Sequence, residues 1–559
     1  LPIVDLGRFR VSMTQIYPWN RYVSYSGTNN QLYDIFETTD GGDTWQGVLD
    51  TASVNPISSN AQGGFGWYFG KVRVHPDNPD DIYVLGVDLW RSRDGGQNWE
   101  QATPPWWTYE VHADKHDLQW NAAGQAVLAN DRGVYFGEED MTLWSDLENI
   151  PCTQFYRVAI NPHQPGLVYC VAQDNCSTGG AQLEEEWPRI YGGDGFQMAF
   201  HPFNEGHFFA ETQNGGIVVT TDGGESWNTG REGIDSEDRR NWDMQYILSP
   251  HDPDVLYTGT YRVYQGFDST FPIWEAASED LTDGLVLHPR YHSITTIDES
   301  ILEPELLYVG TTDGNVWRGE ELVWTSINAG LPDRYISSVK ASPSDINKVY
   351  VTMSAYKDYD FSPLIFRSDD QGASWTSIAG DLPDLAINDV YIYPESGDSL
   401  IFVATDGGVY GTETAGTSWQ RLGENMPFVQ VRDLEVDFTT NELVAASFAR
   451  SIMTYSLDSL VNAQVVNTRE NGYLAADLTL SPNPASGPVQ LQWQGLADEQ
   501  TLLRLYTLDG QQLWKTSFTP FGDQGQITLA IPSNISAGTY LVQVQQGQQS
   551  QSLKLLYSR

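Results

Sequence analysis

Between Trp106 and Asp117 the chain reads Trp-Trp-Thr-Tyr-Glu-Val-His-Ala-Asp-Lys-His-Asp, a concentration of rings, imidazoles and carboxylates. On a β-strand, residues two apart share a face. His112, Asp114 and His116 would then point one way, and Lys115 and Asp117 the other, toward the next sheet. Two imidazoles and a carboxylate are suitable ligands for a divalent cation. They could equally anchor a polar ligand beside Trp106, Trp107 and Tyr109, or satisfy buried backbone in a larger core. Gln173-Asp-Asn175 and Gly192-Gly-Asp-Gly195 set Asp174 and Asp194 at strand ends, where they could join His112. Gly-Gly-Asp-Gly is also a plain turn sequence. No serine nucleophile elbow, P-loop or dinucleotide fingerprint is present. A glycosidase needs two carboxylates facing across one bond, and 74 acidic residues do not single out a pair.

The elements that must position these residues announce themselves by repetition. Thr38-Thr-Asp-Gly-Gly-Asp-Thr-Trp45 returns as Ser92-Arg-Asp-Gly-Gly-Gln-Asn-Trp99, Thr220-Thr-Asp-Gly-Gly-Glu-Ser-Trp227 and Ser368-Asp-Asp-Gln-Gly-Ala-Ser-Trp375. Asp40, Asp94, Asp222 and Asp370 can hydrogen-bond amides within the turn, and the glycines supply positive φ. Trp45, Trp99, Trp227 and Trp375 then present an apolar plane to a neighbouring sheet. A second phrase marks a hairpin inside each unit, as in Val158-Ala-Ile-Asn-Pro-His-Gln-Pro-Gly-Leu-Val-Tyr169. Together they predict about ten four-stranded blades over residues 1–460, an all-β propeller. The unit at 431–457 has three convincing strands, and Pro2 to Leu6 could supply its fourth. The alternative is two smaller propellers in tandem, with blades missing upstream.

The repeated turn resembles the Asp-box, or BNR repeat, of sialidases, sortilin-type receptors and xyloglucanase-like glycosidases. The resemblance implies a propeller, with these aspartates as turn-formers. The His-Ala-Asp-x-His-Asp phrase, followed by Thr153-Gln-Phe-Tyr-Arg157, Gln173-Asp-Asn175, Gly192-Gly-Asp-Gly195 and Gln213-Asn-Gly-Gly216, resembles a group of surface BNR-like proteins of Bacteroidetes. That group usually has Gly after Gln-Asp-Asn; Cys176 stands here instead, which changes the local turn.

Composition narrows the partners. A balance of 30 basic against 74 acidic residues gives a formal charge of −44, which repels nucleic acid and anionic membranes. Such a surface suits cations, neutral glycans or a saline medium, and it also serves plain solubility. No run approaches the ~18 apolar residues of a membrane span. Leu1 opens no signal peptide, so the sequence reads as a mature form or a piece of a longer chain. The cysteines are Cys152, Cys170 and Cys176, without a CxxC pair. The hairpin at Asn161–Gly166 should pair residues whose numbers sum to about 328, setting Cys152 opposite Cys176 for a disulfide.

After Leu460 the repeats stop. Residues 461–476 read as a linker, and residues 477–559 as a Gln-rich β-sandwich of about seven strands, Ig-like in plan. Leu480-Ser-Pro-Asn-Pro-Ala485, Leu503-Arg-Leu-Tyr-Thr-Leu-Asp-Gly510, Ser536-Ala-Gly-Thr-Tyr-Leu-Val-Gln-Val544 and Lys554-Leu-Leu-Tyr557 resemble, in that order, the C-terminal sorting domain of the type IX secretion system. The resemblance implies a partnership with that machinery through residues 477–559, and an extracellular or outer-membrane-surface location. The combined expectation is a secreted, non-catalytic propeller that binds a glycan or surface protein, or self-assembles. The alternative is a glycoside hydrolase acting on a polysaccharide. No cofactor is required; a divalent cation such as calcium is the candidate for His112, Asp114 and His116.

Overall fold

The computed structural model describes the chain apart from residues 1–5, 14–18, 50–56, 58–60, 148–149, 182–183, 185–186, 285–291, 395, 462–473, 475, 508–511, 523, 530, 532–534, 536–537, 547–548 and 558–559. The chain divides into two compact units, Leu1–Ser456 and Leu457–Arg559.

The first unit holds ten consecutive antiparallel sheets, nine of four strands and the last of three. We number them as blades one to ten in chain order. In a blade, the second strand lies between neighbouring sheets and is covered on both faces, so it reads as a continuous apolar run rather than an alternation. Val349–Ser354 and Leu306–Thr311 are buried throughout for that reason. The outermost strands, such as Gln46–Gly47 and Thr376–Ser377, are two exposed residues each, too short to template edge pairing.

The repeated phrase joins the third strand to this short outer one. Thr220 Oγ1 donates to Asp222 Oδ1 at 2.7 Å and accepts the Gly224 amide at 2.9 Å. Asp222 Oδ1 also accepts the Ser226 amide at 2.9 Å. These bonds to the charged form hold the Asp222 carboxyl at about 2. The same network forms around Asp40, Asp94 and Asp370. Gly224 sits at φ 94°, where a Cβ would be strained. Trp375 reaches the preceding blade, its indole N–H donating to the Ile327 carbonyl at 2.7 Å.

Ring closure departs from the single ten-bladed ring. The innermost strand of blade four, Phe155–Ile160, packs against Val431–Asp437 and Glu442–Ser447 of blade ten. Phe155, Val158, Val168, Cys170 and Ala172 share one apolar cluster with Val444 and Ala446. Blades four to ten therefore close a ring of seven, and blades one to three form a separate arc. This matches the tandem arrangement in its second part. Blades four to nine share such a cluster at each successive junction, and blade nine packs on blade ten through its two inner strands; among the described residues no apolar cluster joins blades three and four. Pro2 to Asp5 lie outside the described residues, and Leu6–Met13 pairs within blade one, so blade ten has no fourth strand among the described residues.

The expected hairpin register is present: Val158 pairs with Cys170 and Ala159 with Tyr169. The disulfide is not, and all three cysteines are free. The chain turns at residues 173–176, and Ser177–Ala181 runs back along Leu167–Ala172. Cys176 thereby belongs to the next hairpin and does not oppose Cys152.

In the second unit, a three-stranded sheet and a four-stranded sheet make a seven-stranded sandwich. Its core includes Val489, Leu491, Leu503, Leu505, Val542, Val544 and Leu555. The parts of the sorting-domain phrases at residues 508–510 and 536–537, and most of the expected linker, lie outside the described residues.

Candidate functional site

The innermost strand of blade three begins at Lys115, not at His112, and Asp114 stands at φ 63°. Left-handed backbone there breaks the strand alternation, so His112, Asp114 and His116 do not share a strand face. His112 Nε2 is 2.9 Å from the Asp174 carbonyl of blade four, and burial lowers its pKa. The blade-three register slips at His116, which bonds Asp131 and meets the Tyr68 ring edge-on at 5.3 Å. Lys115 and Asp117 turn toward blade two: Lys115 Nζ donates to the Val87 carbonyl at 3.1 Å, and Asp117 pairs with Arg73 at 2.7 Å.

Three carboxylates meet instead. Asp114, Asp131 and Asp174 offer oxygens that all lie within 4.8 Å of one another, at the junction of blades three and four. Asp194 backs them, its Oδ1 accepting the Asp174 amide at 3.0 Å. Burial, with the neighbouring Asp131 charge, raises Asp114 to about 6. Burial, then Asp194, raises Asp174 to about 8. Such a group either binds a hard cation through oxygen or shares protons. Asp131 was not among the sequence candidates. Ala129-Asn-Asp131 and Ala172-Gln-Asp174 occupy the same hairpin turn in successive blades, a signal that alignment of the two blades reveals.

The rings stand nearby. Trp106 and Trp107 lie on a short 3₁₀ turn, edge to face at 6.0 Å, with Trp107 60% exposed. Tyr109 stacks under Arg189 of blade four at 5.2 Å.

A second concavity was not legible in sequence. The mouth of the seven-bladed ring opens into a cavity of about 770 Å³. Its lining includes the rings of Tyr156, Phe196, Trp242, Tyr335, Tyr356 and Phe448. Bulges aim part of this lining. In blades four, seven, eight, nine and ten the innermost strand slips register by one residue. The skipped residues are Tyr156, Thr295, Ser337, Asn388 and Arg432, and all five face the cavity. Thr295, Ser337 and Asn388 each donate to the carbonyl of the next blade, at 2.7, 2.8 and 2.7 Å, and so stitch the ring. Deeper in, Arg157 pairs with Asp243 at 2.8 Å.

Comparison with known proteins bears first on the C-terminal unit. Residues 479–558 match the family model of the secretion system C-terminal sorting domain. The chain is a propeller protein exported by the type IX secretion system. That domain marks proteins that are secreted or held at the cell or outer-membrane surface, and it implies contact with the secretion machinery. No helix among the described residues is long and apolar enough to cross a membrane. The chain is 24% identical over 243 residues to the photosystem II assembly lipoprotein Ycf48 of Synechococcus sp. (strain CC9902), covering 35% of this chain and 68% of that protein. Among solved structures it is similar to PorZ, an essential surface component of the type IX secretion system of Porphyromonas gingivalis, at 14% identity and TM-score 0.32 over 98% of this chain and 81% of that one. It is also similar to the GH74 enzyme of Niastella koreensis, at 12% identity and TM-score 0.21 over 80% and 90% of the two chains. The GH74 xyloglucanase of Xanthomonas campestris is similar at 15% identity and TM-score 0.23, over 87% and 77%.

Proposed function

We propose that this protein is an extracellular, non-catalytic binding propeller that takes a glycan in the mouth of its seven-bladed ring. One observation carries the reading: aromatic faces and charged side chains share a single open cavity. Sugars present C–H faces that stack on rings and hydroxyls that need paired polar groups, and this lining supplies both. Trp242 and Tyr356 are 39% and 48% exposed, available as stacking platforms. The repeated turns, of the Asp-box type, build the scaffold and take no part in binding.

A glycan array with the whole chain, run beside hydrolysis assays on the polymers bound, tests this. Binding without turnover, weakened roughly fivefold or more in Trp242→Ala, is expected for a stacking platform worth roughly 1–3 kcal/mol. Turnover that disappears with one carboxylate would overturn it.

The second reading is a glycoside hydrolase centred on the blade three–four junction. It is favoured by the adjoining Asp114, Asp131 and Asp174, where burial pushes two carboxyls up by different amounts. Asp174→Asn would then abolish hydrolysis while leaving glycan capture at the ring intact. A cation such as calcium on the same three oxygens is the alternative use of that cluster, and self-assembly of the propeller would be read from sedimentation with and without calcium.

A further inference from the structure

The cations of this acidic chain are unevenly used at the ring mouth. Arg157, Arg240, Arg334, Lys357 and Arg432 line the cavity. Arg157 is held by Asp243. Arg240 donates to the Asp235 carbonyl. Arg334 donates to the Asp333 carbonyl at 2.7 Å and lies 3.7 Å from Asp358. Lys357 rests over the rings of Tyr335 and Tyr356. Arg432 differs from these. Its guanidinium lies 5.4 Å from the Tyr156 ring centre and 5.8 Å from that of Phe448. Among the described residues no carboxylate or carbonyl accepts from it.

Its position in the fold makes this specific. Arg432 is the residue skipped by the blade-ten bulge, where blades seven, eight and nine carry Thr295, Ser337 and Asn388. Those three spend their donors on the next blade. Arg432 spends none. Two rings flank a guanidinium that lines the cavity with its N–H donors unspent.

We propose that Arg432 anchors the acidic group of a polysaccharide, so that the ring selects anionic over neutral glycans. The proposal rests on the glycan-binding reading of this cavity and names its ligand class. A planar guanidinium matches two adjacent oxygens of a carboxylate or sulfate in a bidentate pair, which a neutral sugar hydroxyl cannot supply. Asp333, also in the lining, offers a carboxylate acceptor for hydroxyls of the same sugar. Trp242 and Tyr356 of the same lining provide the exposed stacking faces.

The experiment measures binding of the whole chain to polygalacturonate and to a sulfated galactan. Each is compared with its neutral counterpart, made by carboxyl reduction or desulfation. Wild type is expected to prefer the acidic member of at least one pair by roughly tenfold or more, the contribution of a hydrogen-bonded charge. Which pair shows the preference tells carboxylate from sulfate. Arg432→Gln should remove the preference while leaving neutral binding in place, and Arg432→Lys should recover part of it. Raised salt should erode the preference and spare the neutral form. Equal binding of acidic and neutral members would overturn the proposal and leave the glycan reading standing. A preference unchanged in both Arg432 variants would also overturn it, and the lysine variant serves if the glutamine one fails to fold. Binding of none of the four polymers would overturn both.

Discussion

Arg157 of blade four and Asp433 of blade ten meet across the seam of the ring. Arg157 Nη1 lies 3.8 Å from Asp433 Oδ1, and Asp433 Oδ2 accepts the Val158 amide at 2.9 Å. Sites 275 residues apart in sequence thereby become adjacent. Asp433→Ala should leave the Val158 amide unpaired at the seam, at a cost of roughly 1–3 kcal/mol. Asp433→Asn keeps an acceptor and should lose less. Thermal unfolding of the two variants would separate these costs.

The carboxylate cluster makes stability depend on pH. Asp114 and Asp174 are raised to about 6 and about 8, so the folded chain retains protons that the unfolded chain has released. Their contribution is fully present below about pH 4 and is lost as pH rises through those values. Denaturant midpoints should fall between pH 5 and pH 9, and Asp174→Asn should flatten the decline. If the cluster takes calcium, adding it at pH 9 should restore the midpoint, since binding to the folded state alone stabilises it. A midpoint that rises with pH in the wild type would contradict the assignment.

Trp375 binds blade eight to blade seven through the Ile327 carbonyl and packs in the cluster around Val339 and Val351. Trp375→Ala should cost roughly 3 kcal/mol, at the low end for removing a large ring because the side chain is only partly buried. Trp375→Phe should recover the packing and not the hydrogen bond. Melting curves of the pair would show the ranking.

With three free thiols, reducing agent should leave the melting temperature unchanged. Cys170 is fully buried at the seam, so its thiol should react only on unfolding. Thiol labelling followed by mass measurement would find a modification pattern inconsistent with any Cys152–Cys176 bridge.

The local pieces were determined by the sequence alone. The Asp222 turn closes on atoms within seven residues, and the Val158–Cys170 register follows from the length of one hairpin, so composition and spacing suffice. The same holds for the seven-stranded tail, whose alternating strands and turns lie in order. What the sequence could not carry was which blade meets which. The blade ten–blade four seam depends on how the twist of successive sheets accumulates around an axis, and no residue pattern within a blade records that sum. The site followed the same division. Asp114 and Asp174 stood out as candidates, but their meeting with Asp131 required two blades to be brought together. The position of Arg432 was set by a bulge, a one-residue slip between paired strands that has no signature in either strand read singly.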